Sequence, residues 1–323
     1  RAMGGRLAGG AFSASQIRMQ RLTAWFALLR LQFYPMTWIA YTVGALLANA
    51  GDPLAMAPYL LGYTVLFLVE AATVFINEWF DFETDRINPH GGLFSGGSRV
   101  VVEGRLERSA IRRGVGAAMI GAAAAMGSLA LVTSAASPSS MLGLYVVLTL
   151  FALAYTAPPL KLSYRGLGEL DVALTHSAGA VLAGYVAQGG LWTDSAPWLL
   201  ALPLGLAVLP SILLAGCPDR VADQTVGKRT LVVILGPRQA IRLAMAATLA
   251  APAAAAAIAW MRPEMRGLLG WSAAAGAVHA AWLLPKLRGL ATRLPDRIDG
   301  PIVMALTFIL WFCVPALVVL IRG

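Results

Sequence analysis

Nine stretches of roughly 20 apolar residues recur along this chain, at 32–50, 57–79, 111–134, 139–157, 170–191, 196–216, 238–260, 267–285 and 301–321. A run of about that length is what an α-helix needs to cross the hydrocarbon core of a bilayer. The chain is therefore expected to be all-α, a multi-span integral membrane protein with about nine transmembrane helices. Composition supports this: 58% of residues are apolar and 13% charged, against roughly 45–50% apolar in soluble domains, which argues against a water-soluble fold. No long polar segment remains for a second domain, so residues 17–323 read as one transmembrane domain. Residues 1–16, rich in Gly, Ala and Ser and without an initial Met, read as a disordered or tag-derived arm, and 17–30 as an amphipathic lead-in at the interface.

Charge gives an orientation. Of the 25 Lys and Arg, all but Arg262, Arg266 and Arg322 fall in the N-terminal segment or around the loops that follow the even-numbered stretches. Basic residues in short loops mark the cytoplasmic side, so the N-terminus and those loops are expected there. A bilayer explains the formal charge of +9 better than a nucleic-acid partner does, because the basic residues flank apolar helices and form no stripe interleaved with aromatics. The two cysteines, Cys217 and Cys313, fall in predicted helices and offer neither a disulfide framework nor a zinc cluster. Metal chemistry would have to use oxygen ligands.

Such ligands occur twice. The second stretch runs into Asn77-Glu-Trp-Phe-Asp81-Phe-Glu-Thr-Asp85, and the sixth into Asp219-Arg-Val-Ala-Asp223. A spacing of four puts Asn77, Asp81 and Asp85 on one helix face, and likewise Asp219 and Asp223. Like charges so spaced repel and call for a cation. Magnesium prefers a few carboxylates plus substrate phosphates, so two such pairs at equivalent helix ends suit a metal-bound diphosphate. Arg99, Lys161, Arg165, Lys228 and Arg229 could neutralise the remaining phosphate charge. The plain alternative for the acids is a solvated helix cap, and for the cations the positive-inside bias itself. Trp79, Phe80 and Tyr155 could present aromatic faces to a bound cation. Glu70, inside the second stretch, needs either a polar cavity or a proton. His176 reads as a hydrogen-bonded core residue.

At these residues the chain resembles the UbiA superfamily of intramembrane prenyltransferases, whose motifs read Asn-Asp-x-x-Asp-x-x-x-Asp and Asp-x-x-x-Asp; Glu78 stands where the family usually has Asp. The segments Tyr155–Glu169 and Asp223–Leu231 look like the menaquinone-biosynthesis (1,4-dihydroxy-2-naphthoate polyprenyltransferase) branch. That branch often has an Asn a few residues before the second motif, where this chain has Ala215-Gly216-Cys217-Pro218. Arg30 matches a family Arg near the site. The resemblance implies helices around a central cavity that opens to the cytoplasmic side. It also implies Mg2+ held by Asn77, Asp81, Asp85, Asp219 and Asp223, and an isoprenoid diphosphate bound with help from Arg99, Lys228 and Arg229. Lys161 would assist the leaving group, and Arg30, Tyr155 and Arg165 would contact an aromatic acceptor.

The expected reaction is Mg2+-dependent transfer of a polyprenyl group through an allylic cation to 1,4-dihydroxy-2-naphthoate. Alternatives are 4-hydroxybenzoate or another acceptor, an intramembrane terpene cyclase, and a secondary transporter whose acids would be ion sites. The transporter is disfavoured because the acids cluster at helix ends. For a bacterial source the location would be the cell inner (plasma) membrane, with the N-terminus and active-site loops cytoplasmic.

Overall fold

The computed structural model describes residues 14–49, 51–89, 92–133 and 138–322. Every regular element among them is helical. The order is α1 (Ala14–Leu29), α2 (Tyr34–Asn49), α3 (Met56–Phe80), α4 (Phe82–Ile87), α5 (Arg108–Val132), α6 (Pro138–Ala154), α7 (Gly168–Leu174), α8 (Ala180–Ala187), α9 (Ser195–Thr225), α10 (Leu231–Leu235), α11 (Pro237–Met261), α12 (Arg266–Thr292) and α13 (Asp299–Arg322). A π-helical turn, Thr175–Gly179, joins α7 to α8.

Each of the nine apolar stretches coincides with helix. Among the described residues, seven helical spans are long and apolar enough to cross a membrane: Met56–Phe80, Arg108–Val132, Gly168–Ala187, Ser195–Thr225, Pro237–Met261, Pro263–Thr292 and Asp299–Arg322. The other two, α2 and α6, have 16 and 17 residues. At about 1.5 Å per residue they are at the short end of what a span needs. Of the expected N-terminal arm, residues 1–13 lie outside the described residues, and α1 already begins at Ala14. The expected span ends at 50 and 134 also lie outside them.

Two lobes pack side by side. In one, α3 lies along α5 and touches α6; in the other, α9, α11, α12 and α13 pack on one another. α2 and α8 run between them, α2 against α8 on one side and α13 on the other. Glycine sets how close these two approach: a Cβ at Gly44 would collide with the Val181 carbonyl, and one at Gly184 with the Tyr41 carbonyl. Small residues at such crossings let helix backbones meet where lipid supplies no hydrophobic drive. The lobes' buried cores, one around Leu204, Leu283 and Phe308 and the other around Tyr41, Leu129 and Tyr145, hold the end of α3 opposite the end of α9.

Candidate active site

The first acidic motif bends where a single straight helix was expected. α3 stops at Phe80, and Asp81 takes φ −87° and ψ 8° before α4 begins. The i,i+4 bonds still bridge the bend: the Asp81 N–H donates to the Asn77 carbonyl and the Asp85 N–H to the Asp81 carbonyl, both at 2.8 Å. Asn77, Asp81 and Asp85 thus keep a common face and line one polar cavity of about 120 Å³. The second motif is more helical than expected, because α9 runs on to Thr225 and carries Asp219 and Asp223 into the same cavity. Pro218 inside α9 has no N–H for the helix ladder, one residue before Asp219.

Contacts across the lobes join the motifs. Lys228 Nζ lies 2.6 Å from Asp81 Oδ2 and 3.7 Å from Asp223 Oδ1. Tyr164 donates its hydroxyl to Asp81 Oδ1 at 2.8 Å, and Thr156 Oγ1 donates to Asn77 Oδ1 at 2.7 Å. Asp219 accepts from Asn88 Nδ2 at 2.7 Å and from the Gly96 N–H at 3.2 Å. Gly97, at φ +68°, leaves room that a Cβ would take from the Asp85 carboxylate. Glu78 accepts from both the Ser98 N–H (3.0 Å) and Ser98 Oγ (2.7 Å). Glu169 Oε1 accepts the Leu231 N–H at 2.9 Å, tying the start of α10 to α7.

The charge balance is negative. Burial, then the neighbouring Asp81, Glu78 and Asp219, push the Asp85 carboxyl up to about 8, with Lys228 opposing. Burial disfavours the Lys228 ammonium, but Asp81 and Asp223 override it and hold its pKa well above the usual lysine range. Clustered carboxylates of this kind favour binding of a cation. No three His, Cys, Asp or Glu side chains among the described residues are grouped closely enough to hold a metal ion alone.

The predicted cations separate. Lys228 is buried at the centre of the acids, whereas Arg229 beside it is exposed. Arg30, at φ 52°, borders the cavity and stacks over Phe33 at 4.9 Å. Arg99, at φ 61°, donates to the Asp85 carbonyl at 3.0 Å and the Asn88 carbonyl at 3.3 Å, so it braces α4. Lys161 sits over the rings of Tyr164 (4.7 Å) and Phe80 (5.4 Å). Arg165, exposed, donates to the Pro159 carbonyl at 3.0 Å. Of the three aromatic candidates, only Tyr155 lines the cavity; Trp79 lies under Arg108 and Phe80 under Lys161. Asn88, Ser95–Ser98, Tyr164 and Thr156 were not singled out by sequence, although Ser95-Gly-Gly-Ser98, a short turn-prone run, is the one local signal among them.

A second, mostly apolar chamber of about 250 Å³ adjoins the first and shares Arg30, Asn77, Phe94, Tyr155, Ile212 and Ala215 with it. Leu66, Val69, Leu148 and Val208 line it, together with Glu70, Asp171 and His176. A larger groove of about 1190 Å³ between α1, α3 and α5 holds none of the motif residues, so size alone does not mark the site.

A helical bundle with two facing acidic helix ends beside an apolar chamber suits a metal-bound anionic group that carries an apolar tail. The chain belongs to the UbiA prenyltransferase family, whose sequence pattern matches residues 37–309. A lycopene elongase/hydratase of Corynebacterium glutamicum is 26% identical over 227 residues, 68% of this chain and 72% of that protein. The fold is shared with a UbiA homologue from Archaeoglobus fulgidus (TM-score 0.66, 16% identity, 93% of this chain and 100% of that one). It is also shared with one from Aeropyrum pernix K1 (TM-score 0.66, 21% identity, 91% and 97%). The A. fulgidus homologue bound to GPP and Mg2+ has a TM-score of 0.56 at 17% identity, covering 93% and 100%.

Proposed function

We propose that this chain transfers a prenyl group from an isoprenoid diphosphate to an electron-rich acceptor, with Mg2+ as cofactor. The observation that carries the reading is the convergence of Asp81, Asp85, Asp219 and Asp223 around Lys228 at the rim of an apolar chamber. Asn77, Asp81, Asp85, Asp219 and Asp223 would hold the metal. The ion's other ligands would be phosphate oxygens and water. Bound there, Mg2+ would neutralise the diphosphate and make it a better leaving group. The Mg2+ and GPP held by the A. fulgidus homologue agree with this.

Lys228 contributes a buried positive charge fixed before the substrate arrives, the arrangement in which electrostatic stabilisation is most effective. Tyr155 and Phe94, at the boundary of the two chambers, present aromatic surface where an allylic cation would form. All nine apolar helices are read as spanning, with the N-terminus cytoplasmic; the support is the distribution of Lys and Arg.

For the acceptor, the segments Tyr155–Glu169 and Asp223–Leu231 favour 1,4-dihydroxy-2-naphthoate, with Arg30 as the cation for its carboxylate. A second reading, an isoprenoid alkene, is supported by the lycopene elongase/hydratase relative. It is also supported by Glu70 and Asp171 in the inner chamber, which would repel an acceptor carboxylate.

The test is incubation of purified protein with Mg2+, isoprenyl diphosphates, hydroxylated aromatics and isoprenoid hydrocarbons, with products identified by mass. A prenylated naphthoquinol supports the first acceptor and an elongated hydrocarbon the second. A cyclised hydrocarbon formed without acceptor replaces transfer by cyclisation. Diphosphate left intact under every condition refutes the enzyme reading.

A further inference from the structure

Three polar side chains of the inner chamber have no part in holding a diphosphate. Glu70 lies on α3 about two turns before Asn77. Its Oε2 is buried with no hydrogen-bond partner, and its Oε1 lies 4.0 Å from His176 Nε2. Asp171, 5% exposed, likewise buries an unpaired Oδ1 in this chamber. Buried carboxylate oxygens left unpaired are costly, and ionisable groups inside membrane helices mark function by default.

The histidine is oriented for a specific task. Its Nδ1 lies 3.1 Å from the Val172 carbonyl, which can only accept, so the ring proton belongs on Nδ1. The neutral ring then turns the Nε2 lone pair towards Glu70. His176 sits in the π-helical turn Thr175–Gly179, an interruption that recurs at functional sites. Among the described residues, Asp171 forms no ion pair with a histidine. Glu70 does, and so could pass a proton on.

We propose that Glu70, backed by His176, is the base that removes the acceptor's proton after the new carbon–carbon bond has formed. The inference rests on the prenyl-transfer reading and deepens it. In the step, the allylic carbon leaves its diphosphate oxygen, which keeps the bonding pair. A π pair of the acceptor forms the new C–C bond, and the positive charge moves onto the acceptor. A Glu70 carboxylate oxygen takes the proton from the cationic acceptor, and the freed C–H pair restores an aromatic ring or forms an alkene. The proton then moves to His176 Nε2. An aromatic carbon that bears hydrogen, or an alkene, must shed one proton on this route.

The experiment compares wild type, Glu70→Gln, Glu70→Asp and His176→Gln in detergent with Mg2+, an isoprenyl diphosphate, and the acceptor with or without deuterium at the carbon that loses hydrogen. Wild type should show no slowing on deuteration. Glu70→Gln should lose about 10²-fold in turnover, bind the donor diphosphate as wild type does, and slow further with the deuterated acceptor. Glu70→Asp should recover part of the rate. His176→Gln, altering the positioning and relay residue, should lose less than Glu70→Gln yet gain the same deuterium sensitivity. Wild-type turnover in Glu70→Gln overturns the assignment, as does a fall without deuterium sensitivity. If Glu70→Gln no longer binds donor, Glu70→Asp and His176→Gln decide by the same isotope readout, and its absence in both overturns the proposal. A wild-type protein that prenylates no acceptor refutes the transfer reading itself, and the assignment with it, before any variant is made.

Discussion

Lys228→Met removes the one ammonium at the centre of the acids while keeping an unbranched side chain of similar length. Nζ lies 2.6 Å from Asp81 and 3.7 Å from Asp223, so at an effective dielectric of about 20 the lost attractions are about 6 and about 4 kcal/mol. The protein has a less costly escape. Protonating an ordinary Asp at pH 7, about three units above its reference value, costs about 4 kcal/mol. Proton uptake at one stranded carboxylate therefore limits the loss to about 4 kcal/mol, in line with the roughly 3–5 kcal/mol for breaking a buried pair. The sign follows: the variant's fold holds a proton that its unfolded chain releases at about pH 4, so the deficit against wild type deepens as pH rises. The assay is thermal unfolding in detergent at pH 5 and pH 7, with and without Mg2+. Lys228→Met should melt several degrees lower at pH 7, less so at pH 5, and recover part of the loss with Mg2+ alone. Equal melting of variant and wild type at pH 7 without metal would refute the reasoning.

Asp81→Asn and Asp219→Asn should each lower diphosphate release at least about 10²-fold while membrane insertion, read by fractionation, is unchanged; near-normal release in both would remove the acids from the chemistry. Asp85 is pushed up to about 8, so the metal-free fold retains its proton longer than the unfolded chain. Its stability should fall as pH rises from about 4 towards that value, and Mg2+ should flatten the slope in pH-dependent melting curves. Gly184→Val drives a side chain into the Tyr41 carbonyl and should cost about 1–3 kcal/mol, read as a lower melting temperature with the metal response intact.

Much of the fold was legible because helices in lipid must be long, apolar and self-satisfied, so each apolar stretch coincides with a helix. What hydropathy could not report was local: the bend at Asp81, the π-helical turn at Thr175–Gly179, and the shortness of α2 and α6. In the site, the i,i+4 spacing put the acids of each motif on one helix face, since that geometry is local, while the meeting of the two motifs in one cavity is tertiary. Partners were not local. Asn88 meets Asp219 across 131 residues of sequence and Tyr164 meets Asp81 across 83, and no spacing rule reaches so far. The cations divided for the same reason: Lys228 turns inwards and Arg229 outwards on adjacent residues, while Arg99 spends its guanidinium on carbonyls.

The departure at Glu78 now has a use. Both of its oxygens are taken by Ser98, and two residues earlier the Gly96 N–H is taken by Asp219. The segment Gly96–Ser98 is thus strapped to α3 at one point and to α9 at the other, like a crossbar between gateposts. The width of the mouth then depends on a few residues of loop as well as on helix packing. A backbone cut between Gly96 and Ser98 would leave both gateposts standing but no longer set their separation.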